Sequence, residues 1–114
     1  MRQHRSIALQ TTNRSFASEL PRLLKQRKLT LRAIARDVGG VDHAYLSRMI
    51  NGKTPVNAGH AQRIARHLGL PADYFPEVRE AAVINAVHSR PRLRDEIYFE
   101  RLAPPAKRRS RSQG

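Results

Sequence analysis

Apolar residues recur at intervals of three and four from Phe16 to Leu102, and polar, proline or glycine breaks divide them into separate helices. Phe16, Leu20, Leu23 and Leu24 mark the first helix. Proline inside a helix removes a hydrogen bond and clashes with the preceding turn, so a start near Ser18 is predicted, with Pro21 in the first turn. Thr30 is suited to cap the second helix, and Ala33, Ile34 and Val38 predict that it runs from about Leu31 to Val38. Gly39 and Gly40 stop it. Asp42 offers the next cap, and Tyr45, Leu46, Met49 and Ile50 repeat at helical spacing until Asn51 and Gly52 end the run. A helix this short is not stable alone in water and must be held by packing.

After a loop over Thr54, Pro55, Val56 and Asn57, a fourth helix is predicted from about Ala58 to His67, with Ala61, Ile64, Ala65 and Leu68 facing inward and Gly69 as its stop. Leu70 and Pro71 open a predicted fifth short helix ending near Phe75, with Tyr74 and Phe75 closing the core. Val78, Ala82, Val83, Ile84 and Val87 then predict a helix over 77–88, and Leu93, Ile97, Tyr98, Phe99 and Leu102 another over 91–102. Pro76 and Pro91 suit the first turns of these two.

Residues 29–53 organise the rest: two short helices joined by a glycine turn form a helix-turn-helix, whose second member lies in the DNA major groove. The order of residues also resembles the Cro/cI-type helix-turn-helix (XRE) family of phage repressors and bacterial regulators. The resemblance spans 16–75 and rests on Thr30, Ile34-Ala35, the glycine turn, Tyr45-Leu46-Ser47-Arg48, Asn51-Gly52-Lys53, Ile64-Ala65, Leu68-Gly69-Leu70-Pro71 and Tyr74-Phe75. It implies an all-α fold, a five-helix lambda-repressor-like helix-turn-helix domain, here followed by a C-terminal two-helix extension. The turn has two glycines where the family usually has one, an insertion that would tilt the recognition helix. Leu31 stands where many members carry a polar phosphate-contacting residue, and Arg32 is a substitute next door.

Charge sharpens the picture. The chain of 114 residues has 22 basic and 9 acidic side chains, a net +13. The balance is +3 over 1–14, +7 over 15–70, −1 over 71–103 and +4 over 104–114. Positive charge thus follows the helix-turn-helix and both tails, as a phosphate-rich partner requires. The predicted organisation is a flexible basic arm over 1–14, a DNA-binding domain over 15–76, a helical extension over 77–103 and a disordered basic tail over 104–114. Arg2 and Arg5 in the arm have the chemistry to enter a minor groove, although solvated tails explain the same charge equally well.

In a recognition helix of about 42–50, His43, Ala44, Ser47 and Arg48 face base edges if Leu46 and Met49 face the core. Arg48 is the leading candidate, because a guanidinium binds guanine O6 and N7 together. Family likeness implies phosphate contacts by Asn51, Lys53 and Thr54 through backbone N–H groups and short side chains, with Arg32 adding one at the start of the second helix. The extension has more apolar surface than two short helices hide between themselves. It either packs back on the domain or pairs with a second copy, and a homodimer through 77–102 suits two-fold half-sites.

Other chemistry finds little support. There is no cysteine, no apolar run of membrane-spanning length and no signal-peptide core, which fits a cytoplasmic protein acting at the bacterial nucleoid. His4, His43, His60, His67 and His88 have no carboxylate or cysteine at ligand spacing, and no phosphate loop or nucleophile motif occurs, so neither an enzyme nor a metal or cofactor is expected. The sequence therefore points to a sequence-specific regulator of double-stranded DNA, most simply a repressor. Two alternatives stay open: an antitoxin whose C-terminal helices bind a partner protein, and a non-specific nucleoid protein held by phosphates.

Overall fold

The computed structural model describes residues 11–105, and these contain six α-helices and no strand. They are α1 (Phe16–Arg27), α2 (Leu31–Val38), α3 (His43–Ile50), α4 (Ala58–His67), α5 (Pro76–Ser89) and α6 (Pro91–Ile97), followed by a π-helical turn (Tyr98–Leu102). Arg2, Arg5 and the tail from residue 106 lie outside the described residues. The chain divides into two compact units between Ala81 and Ala82.

Helices α1 to α4 and the start of α5 make up the first unit. Each of α1 to α4 begins on a polar cap that satisfies an otherwise orphaned N–H. Ser15 Oγ accepts from Ser18 N at 3.2 Å, Thr30 Oγ1 from Ala33 N at 3.1 Å, Asp42 Oδ1 from Tyr45 N at 2.7 Å and Asn57 Oδ1 from His60 N at 2.9 Å. The predicted start of the first helix near Ser18 is corrected by this geometry. Ser15 caps α1 earlier and Phe16 is fully buried, which leaves Pro21 inside the helix rather than in its first turn. The predicted fifth short helix at 71–75 is likewise absent. A single turn replaces it, with Tyr74 N donating to Pro71 O at 3.0 Å, and α5 begins at Pro76.

Phe16, Leu20, Ile34, Leu46, Met49, Ile64 and Phe75 fill the core, each at most 1% exposed. Full burial of such a side chain contributes about 1.5 to 3 kcal/mol, which is what holds helices as short as α2 and α3. Phe16 and Phe75 meet edge to face at 4.9 Å, so the N-terminus of α1 is seated on the residue that ends the domain's last loop. The first turn of α5 holds the same N-terminal end. The Glu77 carboxylate accepts from Phe16 N, and the Arg79 guanidinium donates to Asp73 O, Tyr74 O and Thr12 O at 2.7, 3.1 and 2.7 Å.

One charged side chain is buried among the described residues, Glu19. Arg22 donates to it twice, at 3.0 and 2.6 Å, and the Tyr74 hydroxyl donates at 2.5 Å, joining α1 to the loop before α5. The hydrogen bonds from Arg22 outweigh burial and hold the carboxyl below the usual glutamate range. Burial, reinforced by the neighbouring carboxylate, raises the Tyr74 phenol and keeps it a donor.

The end of α1 contains a local conflict. Lys28 adopts the left-handed conformation, φ 59° and ψ 43°, so that Leu29 N reaches Leu24 O at 2.9 Å and Lys28 N reaches Lys25 O at 3.2 Å. A side chain in this conformation is disfavoured by about 1 to 2 kcal/mol. Lys28→Gly is expected to raise stability by roughly 0.5 to 1 kcal/mol, part of the relief being offset by glycine's larger entropy loss. Thermal melting checks this, and an unchanged or lower midpoint would contradict it.

In the second unit, Ser89 Oγ returns to Asn85 O at 2.9 Å at the end of α5, and α6 opens with Pro91 in its first turn. Ala103 N then donates to Tyr98 O at 2.8 Å, closing the π turn. Ala86, Val87 and Leu93 are half-buried. Val83, Ile84, Ile97, Tyr98, Phe99 and Leu102 are exposed, Leu102 by 67%.

Candidate nucleic-acid interface

The helix-turn-helix is built by α2, a four-residue connection and α3. Ile34 and Ala35 on α2 and Leu46 and Met49 on α3 are buried, so the opposite face of α3 must be its outer one. Ala44 and Arg48, four residues apart, are exposed on that face, and His43 and Ser47 are half-buried beside it. Leu46 and Met49 are inside, as the pattern predicts; of the four positions expected to face outward, Ala44 and Arg48 are exposed and His43 and Ser47 half-buried.

Both glycines of the turn have positive φ. Gly39 caps α2 at φ 76° and ψ 160°, a region essentially reserved for glycine. Gly40 follows at φ 73°, and a Cβ there would stand 3.3 Å from the Arg63 guanidinium of α4. Both turn positions thus use backbone that glycine adopts readily, with an α4 side chain lying against Gly40.

Arg32 is exposed near the start of α2 and shares an open groove with Arg36, Val41, Asp42 and His43. The structure therefore places Arg32 and His43 on one concave surface at the N-terminus of α3. Asn51, Lys53 and Thr54 follow α3 directly, the first two exposed and Thr54 half-buried.

The expected grip on phosphate by the backbone N–H groups of Asn51 and Lys53 requires correction. Asn51 N donates to Ser47 O at 2.9 Å, Gly52 N to Met49 O at 3.3 Å and Lys53 N to Arg48 O at 2.9 Å. These amides already satisfy the last carbonyls of α3 and are not free for an anion. Only side chains remain for that purpose at 51–53. Asn51 Nδ2 lies a long 3.4 Å from Ser47 Oγ, so Ser47 accepts there and keeps its own hydroxyl proton to donate.

An arrangement not read from the sequence surrounds Tyr45. The Arg48 guanidinium carbon lies over the Tyr45 ring, 5.6 Å from its centroid. On the same ring His60 of α4 packs edge to face, with centroids 5.4 Å apart and planes at 81°. Arg63 Nη2 lies 2.5 Å from His60 Nδ1. Burial first and Arg63 second push the His60 imidazole below its ordinary range, which favours a neutral ring with Nδ1 as the acceptor. The signal in the sequence was partial. His60 and Arg63 are one turn apart on α4, but their meeting with Tyr45 depends on how α4 packs.

Arg63 and Arg66, also exposed on α4, line a second open groove with Asp37, Val38 and His67. No group of three or more histidine, cysteine or acidic residues among the described residues has metal-binding geometry. No described helix is long and apolar enough to cross a membrane.

Residues 22–75 match the helix-turn-helix family, from the second half of α1 to the last core aromatic. No curated protein and no solved structure matches the chain.

Proposed function

We propose that residues 22–75, which match a helix-turn-helix family, form a Cro/cI-type DNA-binding domain and that the protein reads a specific double-stranded DNA sequence with α3 in the major groove. The observation that supports this best is the outer face of α3, where Ala44 and Arg48 are exposed while Leu46 and Met49 anchor the helix in the core. Arg48 is assigned to a guanine, Ala44 to a thymine methyl, and His43 and Ser47 to hydrogen bonds with neighbouring base edges. Phosphates on either side are assigned to the side chains of Arg32, Asn51, Lys53 and Thr54, which fix the register without reading sequence.

Repression by occupying a promoter is the simplest consequence of such binding, with the cytoplasm as its setting. The protein acts as a homodimer through residues 77–102. In support, six of the seven exposed large apolar side chains among the described residues lie in this stretch, Leu29 being the seventh. Exposed apolar side chains gathered in one stretch of chain suit an interface, and a two-fold pair matches two half-sites. A partner protein on the same surface, as an antitoxin would have, is the second reading. Light scattering at micromolar concentration distinguishes the two: a mass near twice 13.0 kDa supports the homodimer, and a monomer contradicts it.

Lys53 offers a test of the phosphate assignments. Since its N–H is consumed by the end of α3, only its ammonium is available to the backbone of DNA. Lys53→Ala is expected to weaken binding to all duplexes about equally and to reduce the slope of log affinity against log salt by roughly one unit. A salt titration measures this, and a change in sequence preference with the slope intact would contradict the assignment.

A further inference from the structure

We infer that Tyr45 is a positioning residue for base recognition, holding Arg48 over its ring so that the guanidinium donors are presented to DNA already aligned. The inference rests on α3 being the recognition helix. Tyr45 precedes Arg48 by three residues, so the two side chains share one face of α3. The guanidinium carbon is 5.6 Å from the ring centroid, within the range of a cation–π interaction. A cation–π contact uses up no N–H donor, which leaves the guanidinium able to pair with guanine O6 and N7.

What makes the ring a platform is its support from another helix. His60 of α4 meets it at 5.4 Å, and Arg63 is in turn 2.5 Å from His60 Nδ1. The Arg63 guanidinium also lies against Gly40, at a spot where any Cβ would crowd it at 3.3 Å. The run from the two-glycine turn through Arg63, His60 and Tyr45 to Arg48 therefore ties the reading side chain to α4. A long side chain ordered in advance loses less freedom on binding, and that gain is confined to the base pair it reads.

Competition binding tests this with the preferred duplex and with a duplex altered at the base pair read by Arg48, using wild type, Tyr45→Phe, Tyr45→Leu, Arg48→Ala and the double variant Tyr45→Leu with Arg48→Ala. Tyr45→Phe keeps an aromatic face and should retain discrimination within about twofold. Tyr45→Leu should lose about two- to fivefold of discrimination at that base pair alone, the size expected of an exposed cation–π contact. In the Arg48→Ala background the same change should do nothing more. Full discrimination by Tyr45→Leu, equal loss at every position, or the same loss in both backgrounds would overturn the inference. If Tyr45→Leu fails to fold by circular dichroism, His60→Ala removes the brace, leaves Tyr45 in place and should give a loss of the same kind. Arg48→Ala separates this inference from its premise. If that variant keeps the wild-type preference, the recognition-helix assignment falls and the inference with it. If it loses the preference while Tyr45→Leu and His60→Ala do not, only the inference falls.

Discussion

Arg48→Ala is expected to abolish most of the preference for one base pair in each half-site while leaving the fold intact. Arg48 is exposed, the ring it lies over belongs to the half-buried Tyr45, and the backbone hydrogen bonds that end α3 do not involve its side chain. Its loss therefore removes a reader and leaves the scaffold. A bidentate arginine on guanine is worth ~1 to 3 kcal/mol of discrimination, or about 5- to 150-fold between the right and wrong base pair. Binding of the variant to matched and single-substituted duplexes measures this. Unchanged preference at every position would move the reading contact away from Arg48. Lys53→Ala provides the contrast, since a phosphate contact weakens all sequences alike.

Glu19→Gln is expected to have the larger effect on stability. The carboxylate is fully buried and accepts two hydrogen bonds from Arg22 and one from Tyr74. An amide keeps the shape but turns one acceptor into a donor that faces the Arg22 and Tyr74 donors, at a cost of about 1 to 3 kcal/mol. The pH dependence follows from the lowered carboxyl of Glu19, caused chiefly by Arg22. A group with a depressed folded-state pKa contributes stability above its unfolded value, here the ordinary ~4.3 of glutamate. That contribution is lost as pH falls through the lower folded value. The gap in stability between wild type and Glu19→Gln should thus be widest near neutral pH and narrow steadily below about pH 4. Denaturant melts at several pH values measure it, and a gap independent of pH would show that the carboxylate charge is not what holds α1 to Tyr74.

Much of the helix-turn-helix was legible because local chemistry and packing agree there. For α2 and α3 a capping residue, an apolar repeat and a stop coincide, for α4 a repeat and a stop, and the observed bounds Leu31–Val38, His43–Ile50 and Ala58–His67 follow those signals. Where the signals conflict, tertiary contacts decide. Pro21 argued for a late start to α1, yet burial of Phe16 against Phe75 and the Ser15 cap draw the helix back to Phe16. At 71–75 the aromatic pair did close the core, but as part of a turn.

Glu19 shows what a polar label conceals. It lies three residues after Phe16 and one before Leu20, on the apolar stripe of α1, with Arg22 a further turn along. That position marked it for burial, while its partner Tyr74 is far away in sequence and appears only in the fold. The outer face of α3 was readable because Leu46 and Met49 define the inner one. The support behind Tyr45 was not, because it depends on how His60 and Arg63 of α4 meet a different helix. The double glycine is explained by the pair of positive φ angles at Gly39 and Gly40, which the spacing of residues does not specify. A sequence likewise does not reveal that the amides of Asn51, Gly52 and Lys53 are already used by the end of α3.

The most direct test of sequence-specific recognition by α3 is selection of bound duplexes from a random library at about 150 mM salt, where screening reduces the non-specific term. The predicted result is an enriched inverted repeat with half-sites about 10 base pairs apart, as a two-fold pair of recognition helices in successive major grooves requires. Recovery of no preferred sequence would contradict specific recognition and leave a protein held on DNA by charge alone.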